Sequence, residues 1–185
     1  MPEPHALPPA PPAPLDLGEL YRAHVAAVTR WAERLGGPSL DTEDLVHEVF
    51  IVAQRQLPRF RREARVTTWL YQITARVVLH RRRKEWLRRW LRGTPDDAAG
   101  TISSMRPTPV EELQRRQEAA IVYRVLDRLG EKSRTVLILF ELEGLTGEQI
   151  ATLTGTKLAT VWVRLHRARA EFLKQMEALE AEGVR

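Results

Sequence analysis

Thr146-Gly147-Glu148-Gln149-Ile150-Ala151-Thr152-Leu153 runs through Thr154-Gly155-Thr156 into Lys157-Leu158-Ala159-Thr160-Val161-Trp162-Val163-Arg164-Leu165-His166-Arg167-Ala168-Arg169. The stretch reads as a short helix, a tight turn and a second helix rich in Arg. Thr146 and Gln149 have the spacing of a capping box, in which each side chain satisfies a free backbone N–H at the helix start. Ala151 is small where a second helix must cross closely. Gly155 supplies the positive φ that the turn requires. Val161, Leu165, Ala168 and Phe172 recur at helical spacing, so the second helix buries one stripe and turns Trp162, His166, Arg167 and Arg169 outward. A basic helix held on a first one is the geometry with which a helix-turn-helix reads a major groove. A plain αα-hairpin is the alternative, but it rarely carries so much Arg on one helix.

Composition agrees with a polyanionic partner. The chain has 185 residues, a formal charge of +5 and no Cys, so disulfides and thiolate metal sites are excluded. No apolar run approaches the roughly 18 residues needed to span a bilayer, and the N-terminal residues do not read as a signal peptide. The charge is unevenly placed. Between Arg55 and Arg92 thirteen basic residues face only Glu63 and Glu85, whereas Glu33, Asp41, Glu43, Asp44 and Glu48 are opposed only by Arg34. Such separation of sign suggests two partners, one polyanionic and one basic.

The rest of the chain reads as helices. Residues 1–14 hold seven Pro and form an extended tail, expected to be disordered. Leu17, Leu20, Tyr21, His24, Val25, Val28, Trp31 and Leu35 follow helical spacing up to Gly36-Gly37-Pro38. Asp41 can cap a second helix carrying Leu45, Val46, Val49, Phe50 and Val52, which stops before Pro58. After an Arg-rich connector, Val66, Trp69, Leu70, Ile73, Val77 and His80 line one side of a long helix. Residues 93–110, with Gly93, Pro95, Gly100, Pro107 and Pro109, read as a flexible linker. Beyond it Glu111–Leu129 is expected to be a helix stopped by Gly130, and Ser133–Glu143 another. No segment alternates long enough for a strand. The expected fold is all-α: two small helical domains, 15–92 and 111–185, joined by the linker.

At this point the chain resembles a known family. Asp41-Thr42-Glu43-Asp44-Leu45-Val46-His47-Glu48-Val49-Phe50, Thr68-Trp69-Leu70-Tyr71-Gln72-Ile73-Thr74-Ala75-Arg76, and Thr160-Val161 with Arg164-Leu165-His166-Arg167-Ala168-Arg169 are similar to motifs of the extracytoplasmic-function (ECF) sigma factors of bacterial RNA polymerase. The first two fall in the family's region two and the third in region four. The resemblance implies core RNA polymerase (β and β′ subunits), promoter DNA and an anti-sigma protein as partners. It also implies a cytoplasmic, nucleoid location, with the anti-sigma protein able to hold the chain near the membrane, and no cofactor or metal.

The same resemblance distributes roles. Asp41, Glu43, Asp44 and Glu48 are expected to dock on the basic coiled coil of the β′ clamp; favourable charge at a helix start is the simpler account of these carboxylates. Arg59, Phe60, Arg61 and Arg62 in the connector, with Gln72, Arg76, His80 and Arg83 on successive turns of the long helix, are expected to hold the melted minus-ten strand and its extruded base. Trp69 and Tyr71 are aromatic candidates for base stacking, although Trp69 lies in the apolar stripe. Lys157, Thr160, Trp162, Val163, Arg164, His166 and Arg167 are expected at the minus-thirty-five element, with Arg169 on phosphates.

Three departures qualify the match. Val77 stands where the family has Asn, so that residue's promoter contacts do not carry over. Trp162 and Val163 stand where the family has Lys or Arg and then Ser or Asn. They cannot make bidentate base contacts and are left with thymine methyls, the sugar edge or a protein partner. Lys157 replaces a small cap, which leaves Thr156 as the candidate cap. No phosphate loop, nucleophile elbow or His-rich metal motif points to an enzyme. The rival reading is a self-sufficient helix-turn-helix regulator with residues 15–92 for dimerisation; a helical adaptor would leave the Arg-rich helix unexplained.

Overall fold

The computed structural model describes residues 16–60, 65–92 and 109–183, whose regular structure is helical throughout. The helices are α1 (Leu17–Gly36), α2 (Thr42–Gln56), α3 (Val66–Arg92), α4 (Pro109–Arg128), α5 (Glu131–Leu137), α6 (Gly147–Thr154) and α7 (Leu158–Gly183). A 3₁₀ turn, Leu57–Arg59, continues α2, and a π-helical turn, Ile138–Leu142, continues α5. The Pro-rich tail of residues 1–14 lies outside the described residues, as does the expected linker except for Pro109 and Val110, which open α4.

Helix starts follow the sequence chemistry. The Asp16 carboxylate accepts from the Glu19 N–H at 3.0 Å and Asp41 from the Asp44 N–H at 2.9 Å, each satisfying an orphan donor of the first turn. Helix α1 ends on Gly37 at φ +74°, whose N–H donates to the Glu33 carbonyl. A Cβ at Gly37 would also stand 2.7 Å from the Tyr123 ring, so glycine is required there twice over.

Helices α1, α2 and α3 pack around Val28, Trp31, Leu35, Leu45, Val49, Phe50 and Leu70, and the same core continues into Val125, Leu126, Leu137, Ile138, Leu139, Ile150, Val161 and Leu165 of the second half. The two halves therefore share one apolar interior. This widens the buried face of α3 beyond the expected stripe. Tyr71, whose ring meets Trp31 of α1, and Thr74 and Val78 are buried as well, and α6 adds a further neighbour to α3, while His80 is exposed.

Two boundaries differ from expectation. Gly130 does not stop α4 in a left-handed turn; it sits at φ −61° in extended backbone and opens α5, which starts at Glu131 and not Ser133. The helix through Glu143 is not α-helical to its end. Glu143 N–H reaches back five residues to the Ile138 carbonyl at 3.1 Å, a widened turn of a kind frequent at functional sites.

Candidate nucleic-acid interface

The acidic residues of α2 have separate employments. Glu43 and Asp44 are exposed in the first turn, where they also complement the helix dipole. Asp41 is exposed but holds the N-cap. Glu48, one face further on, pairs with Arg81 of α3, so α2 and α3 are joined by a charge pair at the boundary between the acidic and basic surfaces.

On the basic side, Arg59 is exposed and Phe60 is half-buried against Trp69, ring centroids 4.6 Å apart. Trp69 is itself half-buried. Arg61 and Arg62 lie outside the described residues. Tyr71 is not available to stack on bases: it is buried with its ring edge-on to Trp31 at 5.4 Å, and burial raises its phenol well above the usual range. Its inward turn follows from the wider buried face of α3. Gln72 is half-buried, whereas Arg76, His80 and Arg83 are exposed along the helix. Between α2 and α3 a groove of about 170 Å³ has Val52, Ile73 and Val77 as its floor and Gln56, Arg76, His80 and Glu48 around it. Val77, the departure noted above, contributes only apolar floor.

The helix-turn-helix forms as its sequence dictates. Thr146 Oγ1 accepts from Gln149 N–H at 3.3 Å while Gln149 Oε1 accepts from Thr146 N–H at 2.8 Å. Gly155 adopts φ +64°, and Val161, Leu165 and Ala168 are fully buried. The Lys157 carbonyl receives the first N–H groups of α7, from Thr160 and Val161, so Lys157 occupies the cap position itself. The Thr156 hydroxyl accepts instead from Arg164 at 3.4 Å. A close approach is also made at Gly147, where a Cβ would meet the Trp162 ring at 2.6 Å.

The outward face of α7 is less basic than its sequence. Trp162 is 44% exposed, its inner edge resting on Phe140 in a T-shaped contact at 5.8 Å. Arg169 is drawn back to Glu141 at 2.7 Å and lies over the Phe140 ring at 5.0 Å, contacts that the π-helical turn makes possible by placing both partners beside α7. Arg164 is half-buried. Lys157, Val163, His166 and Arg167 are exposed and Thr160 half-buried, so His166 and Arg167, with Trp162 and Val163, form the free central face.

Sequence reasoning missed a set of contacts between the halves. Tyr123 Oη donates to the Arg34 carbonyl at 3.1 Å and Arg134 Nη1 to the Leu35 carbonyl at 2.7 Å. Arg82 of α3 bridges Asp127 at 2.7 Å and Glu131 at 3.4 Å, and Arg34 approaches Glu143 at 3.5 Å. Arg134 is 1% exposed. Its burial, and then the neighbouring Arg82, pull its pKa down to about 10 against the opposing pull of Asp127 and Glu131. No local signal marks it: Arg134 stands between Glu131-Lys132-Ser133 and Thr135, ahead of the apolar run that begins at Val136.

Comparison with known proteins accounts for this order of surfaces. The Sigma-70 region 2 model matches residues 20–93 and the Sigma-70, region 4 model residues 111–172. The RNA polymerase sigma factor NccH of Alcaligenes xylosoxydans xylosoxydans is 30% identical over 87% of this chain and 87% of its own length. The ECF RNA polymerase sigma-E factor of Haemophilus influenzae is 32% identical over 86% of this chain and 85% of its own. In fold, the chain is similar to CnrH as solved in complex with the cytosolic domain of CnrY, with a TM-score of 0.58, 23% identity and 88% of each chain covered. With both region models in order along one chain and relatives of similar length, this protein belongs to the ECF class of RNA polymerase sigma factors.

Proposed function

We propose that the chain acts as a dissociable initiation subunit whose three surfaces divide the work. Glu43 and Asp44, with Asp41 and Glu48 beside them, dock on a basic element of the β′ subunit of core polymerase. Arg59 and the aromatic pair Phe60–Trp69, with Gln72, Arg76, His80 and Arg83, take the melted minus-ten strand. The phosphates are held by the cations and one unstacked base rests on the aromatic platform. The exposed face of α7, from Lys157 and Thr160 through Trp162, Val163, His166 and Arg167, lies in the minus-thirty-five groove. Arg164 and Arg169 serve that helix by holding Thr156 and Glu141 and contribute less to phosphate binding. The observation that carries this reading is the juxtaposition on α2 and α3 of an acidic and a basic surface in a chain carrying both sigma regions.

An anti-sigma protein is the expected inhibitor, since the similarly folded sigma factor RpoE of Bartonella quintana is known in complex with the anti-sigma factor NepR; the working location is the nucleoid. No described helix is long and apolar enough to cross a membrane. The protein lends promoter choice and carries out no synthesis of its own. Run-off transcription with purified core polymerase tests the reading: discrete transcripts that require both components support it, and transcripts independent of this chain refute it.

A further inference from the structure

The last turns of α3 carry a feature that promoter binding does not use. Trp86, Leu87, Trp90 and Leu91 are 62%, 47%, 68% and 69% exposed. At 100° per residue they fall within an arc of about 140° on one helix face. Arg83 heads that face one turn back, and Lys84 and Arg88 edge it. Arg81 and Arg82 are engaged with Glu48 and with Asp127 and Glu131, and Arg88 lies 3.4 Å from Glu85. Arg83 and Lys84 meet no acidic side chain among the described residues. Four adjoining bulky apolar side chains left in water denote an interaction surface.

The chemistry of the face selects its occupant. Duplex DNA would take the cations but leave two indoles in water. A second copy of the chain would bring Arg83 and Lys84 against their own likes. An anionic bilayer surface satisfies both halves at once, because Trp and Leu enter the boundary between headgroups and acyl chains while Arg and Lys meet lipid phosphates. We propose that the end of α3 is an interfacial lipid-binding ridge. It seats the protein on an anionic membrane through Trp86, Leu87, Trp90 and Leu91, with Arg83, Lys84 and Arg88 on the headgroups. The helix lies on the bilayer and does not cross it. It shares only Arg83 with the minus-ten surface, so Trp86 and Trp90 test it separately from the promoter reading.

The test is co-sedimentation of the full chain with vesicles of phosphatidylglycerol and phosphatidylethanolamine, against pure phosphatidylcholine. It is paired with quenching of Trp fluorescence by brominated acyl chains. The expected result is binding about tenfold stronger to the anionic vesicles, with quenching. The double variant W86A/W90A should lose about tenfold in binding and most of the quenching. Its circular dichroism and its run-off activity with core polymerase should be retained, since neither side chain belongs to the apolar core. Absence of vesicle binding overturns the proposal, as does equal binding by the double variant. So does loss of polymerase-dependent transcription in W86A/W90A without any vesicle binding, which would assign the ridge to an acid-rimmed groove on a protein partner.

Discussion

Arg134 Nη1 donates to the Leu35 carbonyl at 2.7 Å across the boundary between the two halves. Leu35 lies in the last turn of α1, where carbonyls lack intrahelical partners, and the carbonyl of Arg34 beside it receives the Tyr123 hydroxyl. The second half thus caps the C-terminus of a first-half helix, and its guanidinium sits at the negative end of that helix's dipole. Replacing Arg134 by Ala should cost about 1–3 kcal/mol, the scale for leaving the buried Leu35 carbonyl without its donor. Tyr123→Phe should cost about 1 kcal/mol, the net worth of one hydrogen bond. Denaturant melts of both variants check the pair; an unchanged Arg134→Ala midpoint would show that the cap is not structural.

The same contacts set a pH dependence. Burial raises the Tyr123 phenol above its usual value of 10.0, so its contribution to stability is complete below about pH 10 and is lost as pH rises through the folded value. Arg134 acts oppositely: with its pKa lowered by burial to about 10, the folded state binds fewer protons above that value, and the cost of its burial eases there. Subtracting the Tyr123→Phe stability curve from that of the parent isolates the phenol. The difference should be constant from about pH 6 to 9 and shrink above 10. A difference that grew with pH would contradict the assignment.

The closed arrangement bears on promoter engagement. About 25 base pairs of B-DNA, the distance from minus-thirty-five to minus-ten, span roughly 85 Å. The longest helix, α3 with 27 residues, is only about 40 Å, and the chain length of residues 93–108 allows roughly 55 Å of extension. Simultaneous contact with both elements is therefore expected to open the Arg134 and Tyr123 caps. Since the chain has no Cys, Cys introduced at exposed Ala26 and Ala178 can be labelled cleanly. Energy transfer between the dyes should fall on assembly into a promoter complex and not on mixing with DNA alone.

Exchanging charges should separate the two surfaces of the first half. Glu43→Lys with Asp44→Lys should abolish association with core polymerase while helical content is kept. Asp41 has to be probed as Asp41→Asn, because Asn keeps the N-cap while removing the charge. Arg76→Ala with Arg83→Ala should assemble normally, impair opening of the minus-ten region, and lower the salt slope of promoter binding by about one unit for each phosphate that is no longer neutralised. Equal loss of polymerase binding in both sets would show that the surfaces are wrongly divided.

Trp162 has both a structural and an exposed side. Trp162→Ala should weaken minus-thirty-five selectivity by roughly 1–3 kcal/mol and lower stability by about 1 kcal/mol because the ring pairing with Phe140 is removed. Gly147→Ala displaces the same ring without removing it and should reduce selectivity in the same direction. Promoter choice unchanged in both, with a sharp fall in melting temperature, would make Trp162 a core residue only.

What is legible in the sequence is what local chemistry decides. The Thr146–Gln149 box, the Gly155 turn, the Asp41 cap and the α7 stripe each depend on residues a few positions apart, and spacing encodes them. What is hidden depends on partners far along the chain. Tyr71 reads as available because the α3 pattern does not reveal that its ring meets Trp31, far back in α1. Glu48 and Arg169 read as free charges because their partners, Arg81 and Glu141, are 33 and 28 positions away. Gly147 reads as a generic helix start, and nothing local reveals that Trp162 packs against it. The division of roles among the surface residues comes from resemblance, and geometry alone does not assign it.

The most direct measurement is permanganate reactivity of minus-ten thymines on a promoter fragment, with this protein, core polymerase and DNA combined in all pairs and together. Reactive thymines are expected only when all three are present, with weak duplex binding by the protein alone. Tight, sequence-specific binding of a palindromic duplex by the isolated protein, with no thymine reactivity on adding core polymerase, would contradict the proposed role.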